Sequence, residues 1–352
     1  MITTIILFLI VLSVLVFVHE LGHFLFCKLF KVRVDEFALG FPPRIFSFKK
    51  GETVYALNVL PLGGYVKIHG ENPDDSDDKG DKRNFQNISW WKQVLILSAG
   101  VIFNLLFAWF LMSLSLFIGT SKISIDGLDS KYIQGEKQVL IHQVLKDSPA
   151  EKAGIKPGNF VVSVDNVSIK DIKQVQDGIK NAPKTFTIVL SDHGATSNKE
   201  IQKTENNTIG IGLAETAKVR MGVFASIYYG AQGTYNLTTQ IFTGVIDFFH
   251  KLFVGKGSWD EVSGPVGIAK VVGDSSEEGF ISFLFITILI SISLAAMNIL
   301  PFPALDGGRI VIAVIEGIIR RKLPIKFVNI LNSIGFILLL ILMLVVTVKD
   351  IL

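Results

Sequence analysis

The 352-residue chain contains one cysteine, Cys27. That excludes an intramolecular disulfide framework, a cysteine-rich zinc knuckle and a CxxC redox pair. Charge is scarce too: Asp, Glu, Lys and Arg make up 18% of the residues, against about 25% in an average soluble domain. The 34 basic and 31 acidic side chains leave a formal charge of +3, too near balance to argue for a nucleic-acid partner. Low-complexity runs and collagen-like periodicity are missing as well. Apolar residues dominate: 49% of the chain is hydrophobic and 27 residues are Phe. A soluble globule would struggle to hide that much apolar surface, so composition points to a membrane protein.

Uncharged windows locate the spans. Positions 1–18 carry no charge and run on into Phe24-Leu25-Phe26, while 93–121, 279–305 and 327–348 give windows of 29, 27 and 22 positions. About 20 apolar residues at 1.5 Å rise cross the hydrocarbon core, so four transmembrane helices are predicted. The first is read as a span and not a signal peptide, because no basic region precedes it and no small-residue cleavage site follows. A fifth uncharged window, Met221–Ile246, mixes Gln232, Asn236 and Gln240 with Tyr and Gly. It reads as an amphipathic helix lying in the interface. Lys28, Lys31 and Arg33 follow the first span, and Arg320-Arg321-Lys322 with Lys326 separates the third from the fourth. Basic residues favour the cytoplasmic side. The expected arrangement is external termini, cytoplasmic 29–92 and 302–326, and external 122–278.

Between the second span and the fifth window, short Val/Ile runs at 139–141, 160–164, 187–190 and 209–211 alternate with turn signals, with one helix near Ile172–Lys180. This reads as a small α+β domain. Expected boundaries are 1–120 for the first half of a membrane core, 121–216 for the external domain, 217–278 for an interfacial linker and 279–352 for the second half of the core.

The chemistry-bearing pattern is His19-Glu20-Leu21-Gly22-His23. On a helix, positions i and i+4 share a face, so two imidazoles can grip one Zn²⁺ while Glu20 reaches the open position as general base. These ionisable groups sit inside an apolar helix, about 13 Å by helical rise from its basic end at Lys28. At such depth they face a partner or a functional cavity, here a metal site or else a polar network or proton relay. A catalytic zinc needs a third protein ligand. His69, His142, His193 and His250 are not expected at membrane depth. Asp306 is the candidate: it ends the third apolar window, behind Pro301 and Pro303, which break the helix, and before Gly307-Gly308. On spacing alone Asp306 could equally cap the helix that follows. Two crossings between residues 23 and 306 put both on one side of the membrane, which favours ligation.

H-E-x-x-H in the first span, with Asn298-Ile299-Leu300-Pro301-Phe302-Pro303-Ala304-Leu305-Asp306-Gly307-Gly308 in the third, resembles the site-2 protease family of intramembrane zinc metalloproteases. More narrowly the chain is similar to the bacterial regulator-of-sigma-E protease type, in a version with a single PDZ domain. Pro61-Leu62-Gly63-Gly64-Tyr65-Val66-Lys67 and Ala99-Gly100…Asn104 match further family stretches, with Val101 where the family has Pro. The resemblance implies zinc on His19, His23 and Asp306, Glu20 as acid/base, and substrate held by Asn298, Pro301, Pro303 and Asn104. Segment 121–216 resembles a PDZ domain in Ser148-Pro149-Ala150, Ala153-Gly154-Ile155, Pro157-Gly158 and Val164-Asp165, with Asn159 where Asp is usual. The resemblance implies that it restricts access to bulky substrates; peptide-tail binding and a plain spacer are the other roles left open.

Hydrolysis within a membrane requires an unwound substrate, whose freed backbone groups are costly in lipid. A strand edge that pairs with them would offset this. Alternation in Glu52–Leu60 and the turn at Lys49-Lys50-Gly51 predict a membrane-associated β-hairpin within 37–68, with Gly63 and Gly64 admitting another backbone. An ordinary cytoplasmic hairpin fits the same pattern. The acidic run Asp74–Asp81 lacks the Glu at position twelve of a calcium loop and reads as solvated.

The fold class expected is thus a polytopic α-helical membrane protein of four spans, with a membrane-associated β-hairpin and one external PDZ-like domain. The function expected is zinc endoproteolysis, in a bacterial inner membrane, of single-span proteins already trimmed outside, such as anti-sigma factors or signal-peptide remnants. Partners are those substrates and the lipid bilayer, and nucleic acid is not among them. The competing classes are an ion-coupled transporter and a non-catalytic scaffold bearing a PDZ-like module.

Overall fold

The computed structural model describes residues 2–71, 81–121, 123, 128–145, 148–156, 158–192, 195–204, 207–255 and 263–351. All of the acidic run except Asp81, and Pro157 of the PDZ-like pattern, lie outside them. The chain divides into two compact units, Met1–Met112 with Gly230–Leu352, and Ser113–Tyr229.

The first unit holds α1 (Ile2–Leu29), strands β1 (Val34–Lys50) and β2 (Thr53–Ile68), and most of α2 (Trp90–Ile118). Among the described residues four helices are long and apolar enough to cross a membrane, and they fall on the four windows read from the sequence. Along α1 the buried residues are Val11, Leu15, His19, Gly22, His23 and Cys27. This is an i, i+4 stripe, so one face enters the bundle while Ile6, Ile10, Val14, Phe17 and Leu25 stay uncovered, as lipid-facing residues do. The histidines ride on the buried stripe.

Strands β1 and β2 each double back. Residues 36–39 pair with 64–67 in opposite running order, and also with 54–57 in the same running order, while 44–50 pair with 53–58. The turn is Gly51-Glu52, with Gly51 at φ +65°, a backbone state open to glycine. The hairpin begins three residues before the expected 37–68. Phe37 packs edge-on to Phe17 and meets Phe24, which also touches Tyr55, and these rings hold the sheet against α1. Ser13 Oγ donates to the Pro61 carbonyl at 2.9 Å, while Gly64 passes beside Glu20. Seven helical residues and three strand residues both cover about 10 Å, so this limb of β2 runs alongside α1. Its far end, together with Phe41, Ile45, Phe46, Val59 and Leu60, is exposed and apolar. The Glu52 turn instead returns to Lys28, 3.0 Å away.

In the order of the chain, α5 (Val223–Phe253) precedes α6 (Pro265–Glu277), α7 (Phe280–Ile299), α8 (Asp306–Ile319) and α9 (Ile325–Ile351). Two helices therefore fill the stretch expected as a linker. Helix α6 was not foreseen, because its polar residues (Lys270, Asp274, Ser275, Ser276) mask its apolar positions. Its N-cap residue Gly264 has no side chain to cap it, and Asp350 of α9 supplies the acceptor, taking the Gly267 N–H at 2.8 Å. Gly273 lets α6 press on Thr4 of α1, where a Cβ would lie 2.4 Å from Thr4 Cγ2. The buried face of α7 includes Ser282, Thr287, Ser291, Ala295 and Ala296, small residues of the kind that let helices pack closely in lipid.

The second unit is an antiparallel sheet. Besides α3 (Pro149–Lys152) and α4 (Ile172–Asn181) it contains β3 (Ile133–Val144), β4 (Phe160–Val164), β5 (Val167–Ser168), β6 (Thr185–Asp192), β7 (Ala195–Gln202) and β8 (Ile211–Val219). The strand order is β7-β6-β4-β3-β8, with β5 beside β4. Val139, Ile141, Val161, Val164, Ile188 and Leu190 form the core with Val175 and Ile179 of α4. Asp171 caps α4 through the Gln174 N–H at 2.7 Å. At the other end Lys203 Nζ donates to the carbonyls of Ile179, Lys180 and Ala182. Strand β7, Ala-Thr-Ser-Asn-Lys-Glu-Ile-Gln, escaped the sequence reading because a polar edge strand leaves almost no hydrophobic alternation.

Candidate metal centre

Helix geometry puts His19 and His23 on one face of α1, each only 7% exposed. The neighbouring helix α2 approaches so closely that side chains are excluded. A Cβ at Gly22 would sit 2.5 Å from the Ala99 carbonyl oxygen, and one at Gly100 would sit 2.6 Å from both His19 Cε1 and His23 Nε2. Gly100 is thus the floor of the histidine pair. One turn further along α2, Asn104 is fully buried. Its amide Nδ2 lies 3.2 Å from His19 Nδ1, and its backbone carbonyl accepts from Ser291 Oγ of α7 at 2.8 Å.

The third candidate arrives from 287 residues away. Helix α7 ends at Ile299, and the chain turns through Pro301, Pro303 and Ala304, the last at φ +73°. The N-cap of α8 is Leu305 and Asp306 is the first helical residue. The carboxylate therefore does not cap its own helix; it points at the histidines. Gly307 and Gly308 allow this fold-back, since a Cβ on either would fall 2.1–2.2 Å from the carbonyl oxygens of Ile299, Leu300 or Phe302. Pro303 is fixed from the other side by Gly335 of α9, where a Cβ would meet the Pro303 carbonyl at 2.5 Å.

His19 Nε2 lies 2.9 Å from Asp306 Oδ2, His23 Nε2 lies 3.4 Å from the same oxygen, and the two Nε2 atoms are 3.2 Å apart. Metal–ligand distances of about 2.0–2.1 Å in a tetrahedron place neighbouring donors about 3.3 Å apart, so the triangle has the right size. Its hydrogen bonding fits as well. His23 Nδ1 donates to the Ile96 carbonyl at 2.8 Å, which leaves the Nε2 lone pair facing inward. A cation on His19 Nε2 likewise keeps that ring's proton on Nδ1, where it needs an acceptor. Asn104 Oδ1 is buried and has no hydrogen-bond partner among the described residues. A half-turn of the Asn104 amide gives both groups what they lack. The donor set, one carboxylate oxygen and two neutral imidazole nitrogens, is one that zinc accepts, with a position left open.

Glu20 is half-buried beside Gly64 of β2. Among the other expected site residues, Asn298 is half-buried in the last turn of α7, Pro301 is exposed and Pro303 is half-buried. Gly63, at φ +155°, packs against the Phe41 ring. Among the described residues no hydrogen bond or ion pair joins Asn298 or Pro301 to the His/Asp group. On the sheet, Tyr65 donates to Glu36 at 3.0 Å, and burial together with that carboxylate raises the phenol above its usual range. Sequence reasoning missed the Ile96 carbonyl, the floor role of Gly100 and an ion pair between Arg309 and Glu71. Only Gly100 carried a signal, a glycine inside an otherwise side-chain-rich span.

A family model described as Peptidase family M50 matches residues 7–342. A protein of Clostridium perfringens (strain 13 / Type A) named "Putative zinc metalloprotease" is 33% identical over 343 residues, covering 96% of either chain. A protein of Fusobacterium nucleatum subsp. nucleatum with the same descriptive name is 33% identical over 349 residues, 97% of this chain and 96% of its own. One from Staphylococcus aureus (strain MSSA476), again so described, is 29% identical over 434 residues, covering 99% and 98%. With four apolar helices and a buried His/His/Asp triangle, this is a multi-pass membrane zinc metalloprotease. The chain belongs to peptidase family M50, the site-2 proteases.

Proposed function

We propose that the protein cuts single-span membrane proteins inside the bilayer, near its cytoplasmic face, after an outer segment has been removed. The observation that carries this reading is the place of the His19–His23–Asp306 triangle, between helices of membrane-spanning length and in the half of α1 nearest Lys28. In this reading His19, His23 and Asp306 hold Zn²⁺, which when bound supplies a Lewis acid to polarise the scissile carbonyl and acidify a water. Glu20 takes that water's proton and passes it to the leaving amine. Asn104 and the Ile96 carbonyl keep both imidazoles in the tautomer that ligates.

The β1–β2 sheet handles the substrate. Residues 64–67 have strand partners on one side only among the described residues, and this edge passes Glu20. An unwound transmembrane segment laid there as an added strand regains its backbone hydrogen bonds, and Gly63 and Gly64 keep the approach clear. Asn298 and the Pro301–Pro303 turn complete the substrate site. The exposed Phe41, Ile45, Phe46 and Leu60 suit a sheet end dipping into the acyl region. The second unit acts as a PDZ-like filter against bulky external domains. Basic residues at 28–33 and 320–326 orient the chain with both termini outside a bacterial inner membrane. Substrates of the anti-sigma-factor or signal-peptide-remnant kind fit these demands.

The test is cleavage of a model single-span substrate in reconstituted vesicles by the intact protein and by Glu20→Gln. A shortened product from the intact protein alone is expected. Equal product from both refutes the reading, and so does an absence of product from the intact protein across substrates trimmed to short external tails.

A further inference from the structure

Asp306 is the first residue of its helix, where a helix has the fewest internal hydrogen bonds to hold it. Its fellow ligands sit deep within α1. The carboxylate nevertheless has to be held within about 0.5 Å to serve as a ligand. One turn on, Arg309 projects from the same side of α8. Its guanidinium Nη1 donates to Glu71 Oε1, with the Glu71 side chain 14% and the Arg309 side chain 30% exposed. Neither residue entered the chemistry above.

Glu71 is a firm post. Its N–H bonds the Ile68 carbonyl at 3.1 Å, just past β2. Neighbouring His69 is pinned on both backbone groups, donating to the Arg33 carbonyl and accepting from Phe85 N–H, at 3.0 and 2.9 Å. Strand β2 is itself attached to α1 at Ser13–Pro61 and Glu20–Gly64. The connections therefore close a ring: α1 to β2, β2 to Glu71, Glu71 to Arg309, and through one turn of α8 to Asp306 and back to His19. We propose that the Glu71–Arg309 pair is a positioning device for the metal ligand Asp306, setting the rotation of α8's first turn so that its carboxylate meets the histidine pair. An exposed surface pair would do little of this. Here the acid is largely covered, and losing one partner strands the other charge.

The inference rests on the zinc reading of the triangle, so wild-type zinc affinity is measured first, on the full-length protein in lipid nanodiscs by competition with a chromophoric chelator. A wild type that holds no zinc defeats the underlying reading, separately from the pair's role. Glu71→Gln and Arg309→Gln are each expected to weaken zinc binding about ten- to hundredfold, the usual effect of losing an outer partner of a metal ligand. The charge-exchanged double variant, E71R with R309E, is expected to recover most of it, and Arg309→Lys to fall between. Wild-type affinity in both single variants overturns the proposal, as does a loss that exchange fails to reverse. If the single variants do not fold, the exchanged pair decides: regained folding and zinc uphold the proposal, and neither regained defeats it.

Discussion

Gly100→Ala is the sharpest probe of the metal centre because it adds one methyl group and removes nothing. The new Cβ would lie 2.6 Å from His19 Cε1 and His23 Nε2 and 2.7 Å from His19 Nε2, where ordinary contact begins at 3.4 Å. The imidazoles must therefore retreat by about 0.8 Å, or α1 and α2 must part. Parting is resisted by Gly22, already seated on the Ala99 backbone, and retreat pulls both nitrogens off the triangle they form with Asp306. Overpacking of this kind costs about 1–3 kcal/mol. If it falls on the ligand geometry, zinc affinity drops about 5- to 150-fold, at 1.4 kcal/mol per decade. Chelator competition reads this directly, and cleavage should fall in parallel. Gly22→Ala is the control: its methyl meets backbone, so it should lower thermal stability more than it lowers zinc affinity in the molecules that stay folded. Gly100→Ala with wild-type zinc affinity would refute the account of the site.

Asn104→Leu should weaken zinc binding about ten- to hundredfold by taking the acceptor from His19 Nδ1, while Asn104→Asp, which keeps an oxygen there, should bind better than the Leu variant; equal affinities would contradict the assigned tautomer. In the second unit, Lys203→Met should expose the three carbonyls at the end of α4 and destabilise that helix by about 1–2 kcal/mol, seen as faster amide exchange over 176–182 with zinc affinity unchanged. Unaltered exchange there would show that Lys203 contributes nothing to holding α4.

Much of the fold was legible because lipid imposes a simple rule: a span must be long and uncharged, and each of the four windows became the body of one helix. The hairpin was legible from its alternation and its Gly51 turn. The doubling of its strands was not, because residues 36–39 gain a second strand partner only once the sheet curls back. Polar elements escaped notice, β7 for want of alternation and α6 because Asp350, a residue far along the chain, completes its first turn. At the centre, His19, Glu20 and His23 announced themselves through helical spacing. Asn298 and Pro301 come from the family pattern alone, and among the described residues no hydrogen bond or ion pair ties them to the triangle.

What the linear chain decided by itself is local in character: which stretches are apolar enough to cross, where the backbone must break, and which two imidazoles share a helical face. Only folding decided where the Asp306 carboxylate points, since a helix cap and a metal ligand have the same spacing: it faces the histidines and leaves its own helix uncapped. The direction depends on Gly307 and Gly308 giving way to carbonyls of the preceding turn, and on Gly100 leaving room for the rings. Such close approaches are properties of surfaces brought together from opposite ends of the chain, and no residue encodes them alone.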